Sequence, residues 1–291
     1  MTTAFVFAGQ GAEEPAMGLA LARAEPDAAA MLAIASEVTG VDVPRALERG
    51  GRALAATEVL QPVLTAVGLA SARALSRRGI RPAFVAGHSL GELTAACFAA
   101  ELDPRDAIEL AAVRGAAMAR AAAEAPGGMV ALRASEEEVQ AALDELPGLE
   151  LAAVNARDEV VLAGPNLDSA LARFGARAAK LRVAGAWHSS AMRSAVEPVR
   201  ARLAAKLAEA SFSARLLASS EGSITDVLAE GIVRPVRFTD VLARLEREGV
   251  RRVIACAPSR VVRSLVRRSL RARVELFGAD DPRSLDALAR R

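Results

Sequence analysis

A chain of 291 residues, 52% hydrophobic and 25% charged, has ample core material for one large globular domain or two smaller ones. A formal net charge of +2, with 3% aromatic residues and no Tyr, excludes the basic face with stacking aromatics that nucleic-acid binding needs. Two cysteines, Cys97 and Cys256, lie far apart in apolar runs, which excludes a disulfide framework and points to a reduced, intracellular setting.

The N-terminus, MTTAFVFAGQGAEEP, carries no positive region before its short apolar run and does not read as a signal peptide. No apolar stretch approaches the ~20 residues needed to span a bilayer. The expectation is a cytoplasmic protein that binds neither membrane nor nucleic acid.

In chain order, a first strand is expected at Ala4–Phe7, running into Gly9-Gln10-Gly11. Helical patterns then reach about residue 80, one of them introduced by Thr57 as N-cap. A buried-type strand at Pro82–Ala86 ends at Gly87, and helices are expected at Leu90–Ala100 and Pro104–Ala123. Strand, turn, helix is the grammar of an α/β sheet. The pattern changes at residues 127–186. A strand at Met129–Leu132 precedes a helix that starts with capping-box spacing at Ser135-Glu136-Glu137-Glu138 and ends near Pro147-Gly148. Strands at Leu149–Val154 and Glu159–Ala163 flank a polar turn. A helix at Asn166–Arg177 and a strand at Lys180–Ala184 complete a β-α-β-β-α-β order, the split ferredoxin-like unit. The chain therefore divides into a large α/β domain, residues 1–126 and 187–291, and a small insert, residues 127–186. Beyond it, helices are expected at Ser190–Ala208, Thr239–Glu248 and Arg260–Leu270, with strands at Arg252–Cys256 and Val274–Phe277.

Gly87-His88-Ser89-Leu90-Gly91 fits the G-x-S-x-G nucleophile elbow and lies between an expected strand and an expected helix, as the elbow requires. The glycines leave room at a strained turn, and a helix starting at Leu90 aims backbone N–H groups at a developing oxyanion. The same residues also read as an ordinary Gly-rich turn with Ser89 as helix N-cap. A serine nucleophile needs a base, and the chain has two histidines. His88 directly precedes Ser89, so at a sharp turn their side chains diverge. His188, at an exposed strand–helix junction in Gly185-Ala186-Trp187-His188-Ser189, is the better candidate; its alternative is a histidine packed near a helix start. No His/Cys/Asp cluster suggests a metal site.

These motifs occur in a family's order. Phe7-Ala8-Gly9-Gln10-Gly11, Gln61-Pro62, Gly87-His88-Ser89-Leu90-Gly91-Glu92, Ala112-Val113-Arg114-Gly115, Gly127-Gly128-Met129, Asn155 with Val160–Gly164, Trp187-His188-Ser189 and Arg234-Pro235-Val236-Arg237-Phe238 follow one another. The chain thereby resembles the malonyl-CoA:acyl-carrier-protein transacylases of fatty-acid and polyketide synthesis along nearly its whole length. The resemblance implies an α/β-hydrolase-like large domain with a ferredoxin-like insert. It implies Ser89 as nucleophile, His188 as base, and the backbone N–H groups of Gln10 and Leu90 as oxyanion hole. Arg114, which the residues alone read as a surface arginine on a helix, becomes the ligand of the malonyl carboxylate. An Arg fork suits that role, and the charge-assisted bond contributes about 1.5–3 kcal/mol, roughly a 10- to 100-fold preference over an uncharged acyl group. The implied reaction is ping-pong. Malonyl-CoA is the thioester substrate, the phosphopantetheine thiol of an acyl carrier protein is the acceptor, and neither a bound cofactor nor a metal is required.

Several family positions differ. Trp187 stands where Phe is usual and is expected to narrow the acyl pocket. Gly231 replaces a glutamine whose backbone carbonyl orients the histidine. Ala257-Pro258-Ser259-Arg260 replaces a Gly-Pro-Gly turn, and Ser219-Ser220 lacks the usual asparagine. These changes point to a specialised-metabolism member. Arg260, Arg263, Arg267, Arg268 and Arg271 cluster on one side of what reads as the last helix, either a docking face for an acidic carrier or a solvated face. Competing readings are an editing thioesterase that hydrolyses acyl groups, a malonyl loader for a malonate decarboxylase, and a non-catalytic scaffold.

Overall fold

The computed structural model describes residues 1–50, 54–270 and 273–291, so Arg271 of the arginine row lies outside the described residues. The first strand, β1 (Thr3–Phe7), is buried at every position. An unbroken apolar run is what a strand covered on both faces requires. It pairs in parallel with β2 (Phe84–Gly87), in a register that sets Phe7 opposite Gly87.

Between β1 and β2 come α1 (Leu19–Ala24), α2 (Pro26–Thr39), α3 (Val43–Arg49) and α4 (Thr57–Arg77). Helix α4 is, by length and composition, apolar enough to cross a membrane, contrary to the sequence reading, but 83% of that stretch is buried inside the fold. It serves as a core helix. Its small residues let neighbours approach closely: a Cβ on Gly68 would lie 3.3 Å from both Phe7 and Thr94. Thr57 is the first helical residue and not the N-cap, which is Ala56; its hydroxyl is used elsewhere, as described below.

After β2 come α5 (Leu90–Ala99) and α6 (Pro104–Glu124), then β3 (Gly128–Leu132), α7 (Glu136–Ala142), β4 (Glu150–Ala156), β5 (Glu159–Gly164), α8 (Leu167–Phe174) and β6 (Ala178–Lys180). The order is β-α-β-β-α-β. Side chains on this sheet alternate between two cores. Val130, Leu132, Val160 and Leu162 pack with Val139, Leu167 and Phe174 of its own helices. Met129, Val161 and Ala163 face the main core. That alternation is the two-residue period of a strand buried on both faces.

The last part of the chain supplies α9 (Val196–Leu207), β7 (Arg215–Leu217), α10 (Ile224–Glu230), β8 (Val236–Arg237), α11 (Phe238–Arg247), β9 (Arg252–Cys256), α12 (Arg260–Ser269), β10 (Glu275–Ala279) and α13 (Pro282–Ala289). The molecule is a mixed α/β fold, with two five-stranded sheets among the described residues. One is parallel throughout, in the order β10-β9-β1-β2-β7; the other, in the order β6-β3-β5-β4-β8, is antiparallel except for the β4–β8 pair. Its fifth strand, β8, comes from outside residues 127–186.

The differences from the sequence reading are local. Strands β7 and β8, of three and two residues, are too short to carry a periodic signal; α10 and α13 were also not expected. Strand β6 sits earlier than Lys180–Ala184, because its pairing with β3 runs from Ala178 opposite Leu132 to Lys180 opposite Val130. Helix α9 is preceded by a 3-10 turn, Ser190–Ala195. At α7, Ser135 accepts from the Glu138 N–H, but the Glu138 carboxylate pairs with Arg177 across the sheet.

Candidate active site

The parallel ladder continues one residue past β2, where the His88 N–H donates to the Phe7 carbonyl at 3.1 Å. The chain then turns abruptly. Ser89 has φ 54° and ψ −112°, a strained conformation for a residue with a side chain, and α5 starts at the next residue. Ser89 holds the N-cap position, but its hydroxyl makes no capping bond. Both glycines of the motif are needed because backbone meets backbone. A Cβ on Gly87 would lie 1.9 Å from the Gly91 carbonyl carbon, and one on Gly91 would lie 2.2 Å from the Phe7 oxygen. Gly91→Ala is therefore expected to cost about 3 kcal/mol or more through overpacking. A thermal melt would register this, and an unchanged melting temperature would contradict the close approach.

Ser89 Oγ lies 2.7 Å from His188 Nε2, across 99 residues of sequence. His188 is not exposed, as its junction suggested, but 6% accessible, with φ 62°. Its other ring nitrogen, Nδ1, lies 2.7 Å from the Gly231 carbonyl oxygen. A carbonyl only accepts, so Nδ1 carries the proton and Nε2 faces the serine hydroxyl with a free lone pair. Glycine serves here because the contact is made by backbone. Burial, and then the nearby Arg114 charge, push the His188 pKa down to about 3, so the ring is neutral and able to accept a proton. His88 points the other way, with Nε2 2.7 Å from Asn155 Oδ1 and its ring edge-on to Phe238. Asn155 sits where the β4–β5 register shifts, a bulge that re-aims the side chain. Its amide donates in turn to Glu159.

Arg114 is 5% accessible, not a surface arginine. The reason lies one residue on: a Cβ on Gly115 would lie 2.7 Å from the Thr57 oxygen, so α4 crosses α6 at this point and covers it. The guanidinium donates to Gln61 Oε1 at 2.8 Å and reaches Ser89 Oγ at 3.4 Å. Gln61 donates to the Thr57 hydroxyl, which donates to Gln10 Oε1, each at 2.9 Å. One chain of hydrogen bonds thus joins the loop after β1 to the Ser89 hydroxyl. Burial lowers the Arg114 pKa to about 10, with Glu92 opposing, so it remains a cation. Ser89, Arg114 and His188 line one cavity together with Glu92, Ser219 and Gly231.

The other expected site residues are placed as follows. Gln10 belongs to a loop packed on the elbow, since a Cβ on the adjacent Gly9 would lie 2.3 Å from the His88 oxygen. Leu90 begins α5 directly after Ser89. The Trp187 ring turns back into the space that Gly185 leaves, with Ala122 beside it, and is not among the residues lining the cavity. The sequence reads Thr57 only as an N-cap, and Gln61 and Glu92 only as parts of motifs, none of them as a site residue. Their signal was a polar side chain inside an apolar helical run, which periodicity alone does not separate from a buried hydrogen bond. Among the described residues, no group of three or more His, Cys, Asp or Glu is placed to hold a metal ion.

Two residues of the arginine row form ion pairs within the chain. The row's helix, α12, is followed by α13. Arg260 pairs with Glu14, and Arg268 pairs with both Asp158 and Glu159. These bonds tie α12 to the loop after β1 and to the β4–β5 hairpin, using two of the row's charges within the chain.

Residues 4–284 match the model of the acyl transferase domain family. A phenolphthiocerol synthesis polyketide synthase type I of Mycobacterium marinum is 35% identical over 96% of this chain, which spans 14% of that protein's length. The malonyl CoA-acyl carrier protein transacylase of Mycobacterium bovis is 33% identical over 91% of this chain and 92% of its own. Among solved structures, the acyl-carrier-protein S-malonyltransferase of Burkholderia pseudomallei superimposes with a TM-score of 0.89 at 31% identity, covering 100% of both chains.

Proposed function

The chain belongs to the acyl transferase domain family, as a relative of the malonyl CoA-acyl carrier protein transacylases, and we propose that it moves a malonyl group from coenzyme A through a Ser89 ester to the thiol of an acyl carrier protein. The observation that carries this reading is a buried cation beside an activated serine: Arg114 within 3.4 Å of Ser89 Oγ, which itself meets His188 Nε2 at 2.7 Å. The pathway is fatty-acid or polyketide synthesis, the setting is the cytoplasm, and no bound cofactor is needed because the thioester is the substrate. We read the parallel-sheet unit as α/β-hydrolase-like and residues 127–186 as a ferredoxin-like insert that closes over the elbow through Asn155.

In the first half-reaction His188 Nε2 takes the Ser89 proton as Oγ attacks the thioester carbonyl. The backbone N–H groups of Gln10 and Leu90 receive the oxyanion, at the end of α5 where the helix dipole favours negative charge. The tetrahedral intermediate collapses, the C–S bond breaks, and the coenzyme A thiol leaves with the proton from His188. In the second half-reaction His188 removes the proton of the carrier's thiol, which attacks the Ser89 ester, and Oγ recovers its proton. Arg114 holds the free carboxylate throughout. That carboxylate also offsets the cationic charge that keeps His188 a weak base, so the correct acyl group strengthens the base that acts on it.

Two measurements test the reading. Mixing the protein with malonyl-CoA is expected to produce a malonyl adduct by intact mass that persists for minutes and moves to an added carrier protein; decay to free acid would instead mark a hydrolase. Arg114→Ala is expected to slow acylation by malonyl-CoA by about 100-fold and leave acetyl-CoA nearly unaffected. An equal fall with both donors would limit Arg114 to a structural role.

A further inference from the structure

The catalytic cavity holds a second buried charge that the transfer chemistry leaves unused. Glu92, in the first turn of α5, is 4% accessible and lines the same cavity as Ser89, Arg114 and His188. Its carboxylate accepts the Ser219 N–H at 2.7 Å. Arg114, the cavity's cation, makes its hydrogen bonds to neutral groups, Gln61 and Ser89. The cavity therefore contains one guanidinium and one carboxylate, both desolvated.

From this we propose that Glu92 is a specificity-determining residue: it lies in the field of the cavity-lining guanidinium that receives the free carboxylate of the incoming acyl group, and it takes up a proton when that carboxylate binds. The inference rests on the malonyl-transfer reading. The cavity lining offers one guanidinium, with Arg244 acting on Glu92 from outside that lining, so a second carboxylate in this dry space carries a large penalty and the less well solvated of the two protonates. The acyl carboxylate, with an ordinary pKa near 4 and a direct bond to Arg114, keeps its charge.

The groups facing Glu92 are Arg114 from α6, Arg244 from α11, the neutral His188 and the Ser219 N–H. Burial pushes its carboxyl up to about 7, against the lowering effects of Ser219, Arg114 and Arg244. A second anion on Arg114 raises it further. Below that value Glu92 is already neutral and a malonyl group enters freely. Above it, malonyl binding must draw a proton from solvent, and each further pH unit weakens binding by up to about tenfold. An acetyl group brings no carboxylate and draws no proton. His188 titrates well below this range, and the coenzyme A portion is common to both donors. The ratio of malonyl to acetyl acylation rates therefore isolates Glu92.

The experiment measures that ratio by intact mass at Ser89 from about pH 6 to about pH 8.5, in the wild-type protein and in Glu92→Gln. The amide keeps its acceptor oxygen for the Ser219 N–H. The wild-type ratio is expected to fall about tenfold as pH rises, and the variant's ratio to stay flat and exceed the wild type at the alkaline end. Should the variant not fold, titrating malonyl-CoA and acetyl-CoA into Ser89→Ala in buffers of different ionisation heat supplies the second readout. Roughly half a proton or more is expected to be taken up per malonyl-CoA near neutral pH beyond the acetyl-CoA value. A ratio that does not change with pH in the wild type, or equal proton uptake for the two donors, overturns the role of Glu92 while leaving malonyl transfer standing. Absence of any malonyl adduct overturns both.

Discussion

Ser89→Ala is expected to abolish the acyl-enzyme and to slow transfer to a carrier thiol by about a millionfold, the cost of removing a nucleophile whose whole constellation is built around it. The geometry explains why no other group would substitute. Ser89 is presented by a strained turn, φ 54°, that β1, β2 and α5 hold by backbone contacts at Gly87 and Gly91. Alanine keeps the Cβ and the same strain, so the variant is expected to melt within a few degrees of the wild type. Intact mass after incubation with malonyl-CoA is the direct check. An adduct of undiminished yield on the variant would place the nucleophile elsewhere.

His188→Ala carries the second large effect, a loss of about 10,000-fold or more in acylation rate, with Ser89 still present. The ring's one free lone pair faces Oγ, because Nδ1–H is committed to the Gly231 carbonyl. The chain uses a backbone oxygen where other serine enzymes use a carboxylate, so the orienting partner survives any substitution of residue 231 that keeps the loop. Because serine and histidine act as a unit, Ser89→Ala/His188→Ala is expected to be no slower than Ser89→Ala alone. The rate of malonyl transfer to a carrier thiol, measured on the three variants, decides this. Additive losses would mean that the two residues do not share one proton transfer.

The sequence made the elbow legible because its constraints are local. A strand, two glycines and a helix start within eight residues have few solutions, and the serine between them is exposed to its base by the turn itself. His188 was legible by scarcity, since only two histidines are present and one is adjacent to the serine. The mixed α/β class was also legible, for β1 and β5 are short buried runs and most helices keep their period. The short strands were not. β8 joins β4 through two residues, and nothing in two residues separates a strand from a loop.

What the sequence by itself determined is where most of the helices and turns fall, and which serine and histidine are the candidates for covalent chemistry, since all of these rest on patterns a few residues long. What only the tertiary structure decided is how the charges are used. Arg114 reads as a surface residue until α4 is laid across Gly115. Arg260 and Arg268 of α12 read as part of a free face until Glu14, Asp158 and Glu159 meet them. Glu92 reads only as the last residue of the elbow motif until the cavity closes around it. The physical reason is common to the three: the energy of a charge is set by the solvent and partners around it, and those arrive from segments of chain that local pattern does not bring together.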